Sequence, residues 1–156
     1  MRVPSKGRAN LGKWAETQVQ AWLTERSSGD WRFAFHRYPD ARAARGALAA
    51  QPADFLVSDP ARGTSHLEVK ETAQRHRLPR AKVSQWGALY KFHLAGIPAY
   101  VLVYRNTCKD WVVLTAPDLH FNRDACPPSF PLEGLASFPT HQKALAHLYG
   151  STSSNV

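Results

Sequence analysis

From residue 10 onward the apolar positions recur every three or four residues, and Leu11, Ala15, Val19, Trp22 and Leu23 fall on one stripe of a predicted helix. Asn10 is placed to cap that helix and Ser27-Ser28-Gly29-Asp30 to end it. Trp31 to Tyr38 then alternate as a strand does, with Phe33 and Phe35 on one face. The Ala-rich run between Pro39 and Pro52 predicts a loop or a short helix. Two short strands follow, 53–58 and 65–72, and the turn residues Asp59-Pro60-Ala61-Arg62-Gly63 between them predict a hairpin. A basic loop, Q-R-H-R-L-P-R, leads to a helix over about 81–95 that Gly96 ends, with Pro98 beyond it. The apolar runs 99–104 and 111–114 read as two more strands, with a turn at 106–110, and a Pro-rich stretch precedes a last helix over about 140–149.

The order helix, three strands, helix, two strands, helix predicts an α/β domain with a central mixed five-stranded sheet flanked by helices. A length of 156 residues with 44% hydrophobic positions suits one core, assigned to residues 10–149. Residues 1–9 are expected to form a flexible basic arm, and the Ser-rich residues 150–156 a disordered tail. No stretch approaches the roughly 20 apolar residues of a membrane span. The opening M-R-V-P-S-K-G-R-A-N also lacks the apolar core of a signal peptide, so a cytoplasmic protein is expected. Cys108 and Cys126 follow no metal-ligand spacing and read as reduced thiols.

Charge narrows the partner. Twenty Lys and Arg against twelve Asp and Glu give a formal charge of +8, which favours a polyanion such as nucleic acid. The basic residues fall into three groups: Lys6, Arg8 and Lys13; Arg37, Arg42 and Arg45; and Arg75, Arg77, Arg80 and Lys82. These are the candidate DNA contacts. Side chains of this kind bind phosphates without reading bases and make affinity salt-dependent.

The chemistry rests on S-H-L-E-V-K-E-T, residues 65–72. Strand alternation puts Leu67 and Val69 on one face and His66, Glu68 and Lys70 on the other. The two charges are either a surface ion pair, worth about 0 to 1 kcal/mol, or half of a metal site. The hairpin sets Asp54 on the neighbouring strand, and two such carboxylates can share Mg²⁺, with Mn²⁺ as a substitute. A cation held there can activate water against a phosphodiester, and Lys70 can balance the charge that develops. Glu16, in G-K-W-A-E of the first helix, is either an ordinary surface glutamate or a further contributor. His36, His66 and His76 do not fall at zinc-ligand spacings, and His66 is a candidate second-layer or phosphate-contacting group. Trp86, Tyr90 and Leu94 read as core or dimer-interface residues.

P-A-D followed by E-V-K resembles the pattern of the PD-(D/E)xK nucleases. More narrowly, L-E-V-K-E-T, the loop ending L-P-R-A-K-V-S-Q, A-G-I-P-A-Y-V-L-V-Y and W-V-V-L-T-A-P-D-L are similar in order and spacing to the RecU-type Holliday junction resolvases, from about Gly12 to Leu119. The resemblance implies a restriction-endonuclease-like core and a Mg²⁺-dependent endodeoxyribonuclease that acts on branched DNA as a homodimer. It implies that Asp54 and Glu68 hold the metal and that Lys70 assists the water or the transition state. It also implies that Gln85, otherwise a polar residue on the exposed side of the first turn of its helix, approaches the site, and it lends weight to Glu16. Family members carry a longer stalk before the first active-site Asp than the stretch 37–52 provides. That departure keeps open a nuclease for ordinary duplex, nicked or single-stranded DNA. An inactive DNA-binding accessory protein is a third expectation.

Overall fold

The computed structural model describes residues 11–39, 51–119 and 129–151. The N-terminal arm with Lys6 and Arg8, the cap Asn10, Arg42 and Arg45, Cys126 and the tail from 152 lie outside the described residues.

The first helix, α1 (Leu11–Gly29), buries Ala15, Val19 and Leu23 completely, one residue per turn of its stripe. It is followed by β1 (Ala34–Arg37), β2 (Phe55–Asp59) and β3 (Gly63–Thr72). Strands β2 and β3 form the expected hairpin, with Asp59 facing Gly63. Asp59 shapes the turn, its Oδ1 accepting from the Ala61 N–H at 2.9 Å, and Gly63 supplies the positive φ of 80°.

A short strand β4 (Arg77–Pro79) and a 3-10 turn at Arg80–Lys82 then lead to α2 (Trp86–Leu94). Beyond it lie β5 (Ala99–Arg105), β6 (Asp110–Thr115), β7 (Ser129–Pro131), β8 (Ser137–Phe138) and α3 (His141–Tyr149). The main sheet has six strands in the order β1-β2-β3-β5-β6-β8, and β4 pairs with β7 in a separate two-stranded sheet. Among the described residues, only the β3–β5 pair of the main sheet is parallel. The segment carrying β4 and α2 is therefore the crossover that a parallel pair requires.

The expected five-stranded sheet is corrected to six strands plus a two-stranded sheet. The strands missed are two or three residues long, too short for alternation to register. Two boundaries also move. The first strand begins at Ala34, because Trp31 is 92% exposed and Phe33 enters the core from a turn whose N–H bonds Asp30. The second helix begins at Trp86 because Val83 is fully buried with φ −115° and ψ 67°, outside helical geometry. Gln85 is consequently the residue that caps α2, and the expectation that placed it within the first turn is corrected.

Both faces of the sheet are covered. On one, Phe55, Val57, Leu67, Val69, Leu102 and Val113 pack with α1 and α3. On the other, Val101, Val103, Val112 and Leu114 pack with Leu78, Val83, Leu89 and Phe130. Strand β3 lies inside the sheet between β2 and β5, so residues 65–69 are buried on both faces. Among the described residues, no helix is long and apolar enough to cross a membrane.

Candidate active site

The register of the hairpin sets the geometry. Phe55 faces Leu67, so one residue further Asp54 comes opposite Glu68. Asp54 is fixed from both sides: its Oδ2 accepts from the Val69 N–H at 2.8 Å, and its carbonyl accepts from the Tyr38 N–H at 2.9 Å. Glu68 faces Val101 in the parallel register and is fully buried. Lys70, two residues on, places Nζ 2.5 Å from Glu68 Oε1 and keeps its side chain 23% exposed. The surface ion pair weighed above is thereby replaced by a buried one, because the face expected to meet solvent is covered.

The ammonium pairs with Glu68 by charge, and neither carboxylate oxygen has an aligned donor among the described residues. A buried carboxylate held by one ion pair and short of hydrogen-bond donors is costly unless something else completes its contacts. Burial, then the charge of Glu68, lifts the Asp54 carboxyl from its usual 3.8 to about 7. Burial also raises Glu68, against the opposing pull of Lys70. For Lys70, burial acts to release the proton, but the Glu68 charge outweighs it and the pKa rises. The corner thus holds a lasting cation beside two acids that resist ionisation together.

These residues fit a hard divalent cation. The available donors are carboxylate oxygens, which suit Mg²⁺ or Mn²⁺ over zinc. Two of those oxygens have no aligned donor, and a cation would let both acids ionise. Among the described residues no three His, Cys, Asp or Glu side chains form a metal-holding group. The remaining coordination positions would fall to water and phosphate oxygens, as is usual for Mg²⁺.

Asp54, Glu68, Lys70, Glu16 and Gln85 all line one polar cleft of about 650 Å³, together with Arg37, Tyr38, Ser84 and Lys82. Glu16 reaches it from α1 and is held by Arg37, whose NH2 lies 3.0 Å from Glu16 Oε1 and whose NH1 donates to Gln20. Its charge adds to the upward push on Asp54. Gln85 accepts from Ser84 Oγ at 3.3 Å. Lys82 donates to the Glu71 carbonyl at 2.7 Å and pairs with the Glu71 carboxylate at 3.2 Å.

Among the described residues, the other cations named from the sequence, Lys13, Arg75, Arg77 and Arg80, do not line this cleft. Lys13 is exposed on α1 and Arg75 is exposed beyond β3. Arg77 donates to Ser129 Oγ at 3.2 Å, and Arg80 lies over the Trp86 ring at 4.5 Å. His66 is 2% exposed, so the expectation that it touches phosphate is corrected. Its Nε2 lies 3.3 Å from the Tyr38 hydroxyl. Tyr38 was not singled out by sequence reasoning, although its place at the end of β1, next to Arg37, was a usable signal. Of the helix residues expected in the core or a dimer interface, Trp86 packs against the core beside Leu89, whereas Leu94 is 68% exposed.

Removing the Lys70 ammonium should destabilise the fold through Glu68. Lys70→Met is expected to cost about 3 to 5 kcal/mol wherever Glu68 is ionised, because it leaves an unpaired buried charge. The cost should be smaller at pH 5 than at pH 8, because burial favours the protonated, uncharged acid, which needs no partner. Urea unfolding at both pH values measures the difference, and equal losses would mean that the pair is not ionic.

No protein-family model matches this chain, and no curated protein sequence does. Among solved structures, the chain is similar to Archaeoglobus fulgidus Hjc, a Holliday junction resolvase from an archaeal hyperthermophile. The match has 19% sequence identity and a TM-score of 0.49, and covers 79% of this chain and 88% of that one.

Proposed function

We propose that the chain is a metal-dependent endodeoxyribonuclease and that its substrate is branched DNA, in the first place the four-way junction. The observation that carries this reading is the buried Glu68 carboxylate, with no aligned donor on either oxygen, opposite Asp54 and 2.5 Å from Lys70 in an open polar cleft. A structural ion pair would have its oxygens satisfied. The formal charge of +8 and the order of elements around L-E-V-K-E-T support the same reading.

Asp54 and Glu68 would hold Mg²⁺ or Mn²⁺, which when bound supplies Lewis acidity toward the scissile phosphate and an activated water. Lys70, whose pKa is raised, serves as a fixed positive charge for the transition state and not as a proton acceptor. Arg37 and Lys82, which line the same cleft, are candidates to hold phosphates flanking the cut. Gln85 presents an uncharged amide that can orient water. A twofold pair of copies would bring one such cleft to each of two symmetric strands.

The short stretch 37–52 favours a second reading, a nuclease of ordinary duplex or nicked DNA. Cleavage of a synthetic four-way junction and of a linear duplex of the same sequence, side by side in Mg²⁺, separates the two. Preferential junction cutting is expected. Equal cutting would leave the broader nuclease. No cutting of any DNA, with binding intact, would leave the accessory protein.

A further inference from the structure

We propose that Tyr38 is a substrate-contacting residue, its hydroxyl donating to a phosphate oxygen of the DNA, and that buried His66 holds it in that role. The inference rests on the nuclease reading and adds to it a contact that carries no charge. The two side chains share one hydrogen bond, between the Tyr38 hydroxyl and His66 Nε2 at 3.3 Å. Which group donates is decided by the other ring nitrogen. His66 is 2% exposed, and its Nδ1 has no partner among the described residues.

If the hydroxyl donated, Nε2 would accept and the ring proton would sit on Nδ1, a buried N–H with no acceptor. Such orphaned donors are rare because they forfeit the whole of their hydration. If Nε2–H donates instead, the ring proton is paired and only a lone pair is left bare. The geometry therefore selects the Nε2–H tautomer. The Tyr38 oxygen is then the acceptor, and its own proton is left for another partner.

Tyr38 lines the cleft that holds Asp54, Glu68 and Lys70, and among the described residues that proton meets no acceptor other than His66. A phosphate entering the cleft supplies one. Accepting from His66 also polarises the hydroxyl and makes it a stronger donor. The Tyr38 N–H bonds the Asp54 carbonyl at 2.9 Å, so the backbones that carry the hydroxyl and the carboxylate are tied together. His66 is tied in turn to the crossover by its N–H to the Pro98 carbonyl at 2.9 Å, and its ring lies 4.6 Å from that of Phe92. His66 is thus a positioning residue, and Tyr38 makes the contact.

Two measurements test this. Nitrogen-15 NMR of the folded protein at pH 8 should show His66 as the Nε2–H tautomer, and an Nδ1–H tautomer would overturn the inference whatever the activity. Tyr38→Phe should melt within a few degrees of wild type and bind DNA in Ca²⁺ nearly as well. It should cut DNA in Mg²⁺ about 10- to 100-fold more slowly in single turnover, the scale of one donor lost to an oxyanion. Wild-type cleavage with an equal rate for Tyr38→Phe would overturn this inference alone. A wild-type protein that cuts no DNA would remove the nuclease reading and this inference with it.

Discussion

Asp54→Asn is expected to slow DNA cleavage by about a thousand-fold or more while raising the stability of the metal-free fold. The loss follows from removing one of two anionic ligands of the proposed cation, whose charge stabilisation is worth several kcal/mol, and each 1.36 kcal/mol is tenfold in rate. The gain follows from the carboxyl itself. Burial and the neighbouring Glu68 oppose its ionisation, and an amide carries no charge to oppose. The amide oxygen can still accept from the Val69 N–H, so the backbone anchor survives. Cleavage assays and urea denaturation on one preparation read both effects. A variant that loses activity and stability together would show Asp54 to be structural. A variant that loses neither would remove it from the site.

The second large effect is a fall in metal-free stability as pH rises. An acid whose folded pKa is raised binds its proton more tightly in the folded state, so folding is favoured while that proton is held. For Asp54 the affected window runs from the usual 3.8 up to about 7. Across it the folded chain holds more protons than the unfolded chain, so stability declines with pH, by a separation that corresponds to about 4 kcal/mol. Glu68 shifts in the same direction and adds to the decline. Lys70 is raised from 10.5 and acts only in the alkaline range, outside this window. The thermal midpoint in a chelator should therefore drop between pH 5 and pH 7.5. Millimolar Mg²⁺ or Mn²⁺ should restore it at the upper end, where the cation takes the place of the protons. A flat profile in the chelator would mean that the two acids are hydrated and not desolvated.

The hairpin was legible because two local signals agree. A period of two runs through Leu67, Glu68 and Val69, and Asp59-Pro60-Ala61-Arg62-Gly63 is turn chemistry. Together they put Asp54 beside Glu68. The burial of that corner was not legible, because polar residues alternating with apolar ones read as a solvent face. What covers the face is non-local: β5 pairs along β3, and the crossover carrying Val83 and Leu89 folds over it. The start of α2 was misjudged because Ala81, Lys82 and Ser84 all tolerate a helix, and only the burial of Val83 breaks it. Tyr38 and His66 meet across the intervening β2 strand, and no spacing within the sequence encodes such a contact.

The two ends of the main sheet bear on how copies of the chain could assemble. Its edge strands are β1, of four residues with Arg37 at its end, and β8, of two residues. Edges this short, one of them charged, are poor templates for adding another strand. Among the described residues, then, the sheet offers little edge for another copy to extend, which guards the backbone against open-ended stacking.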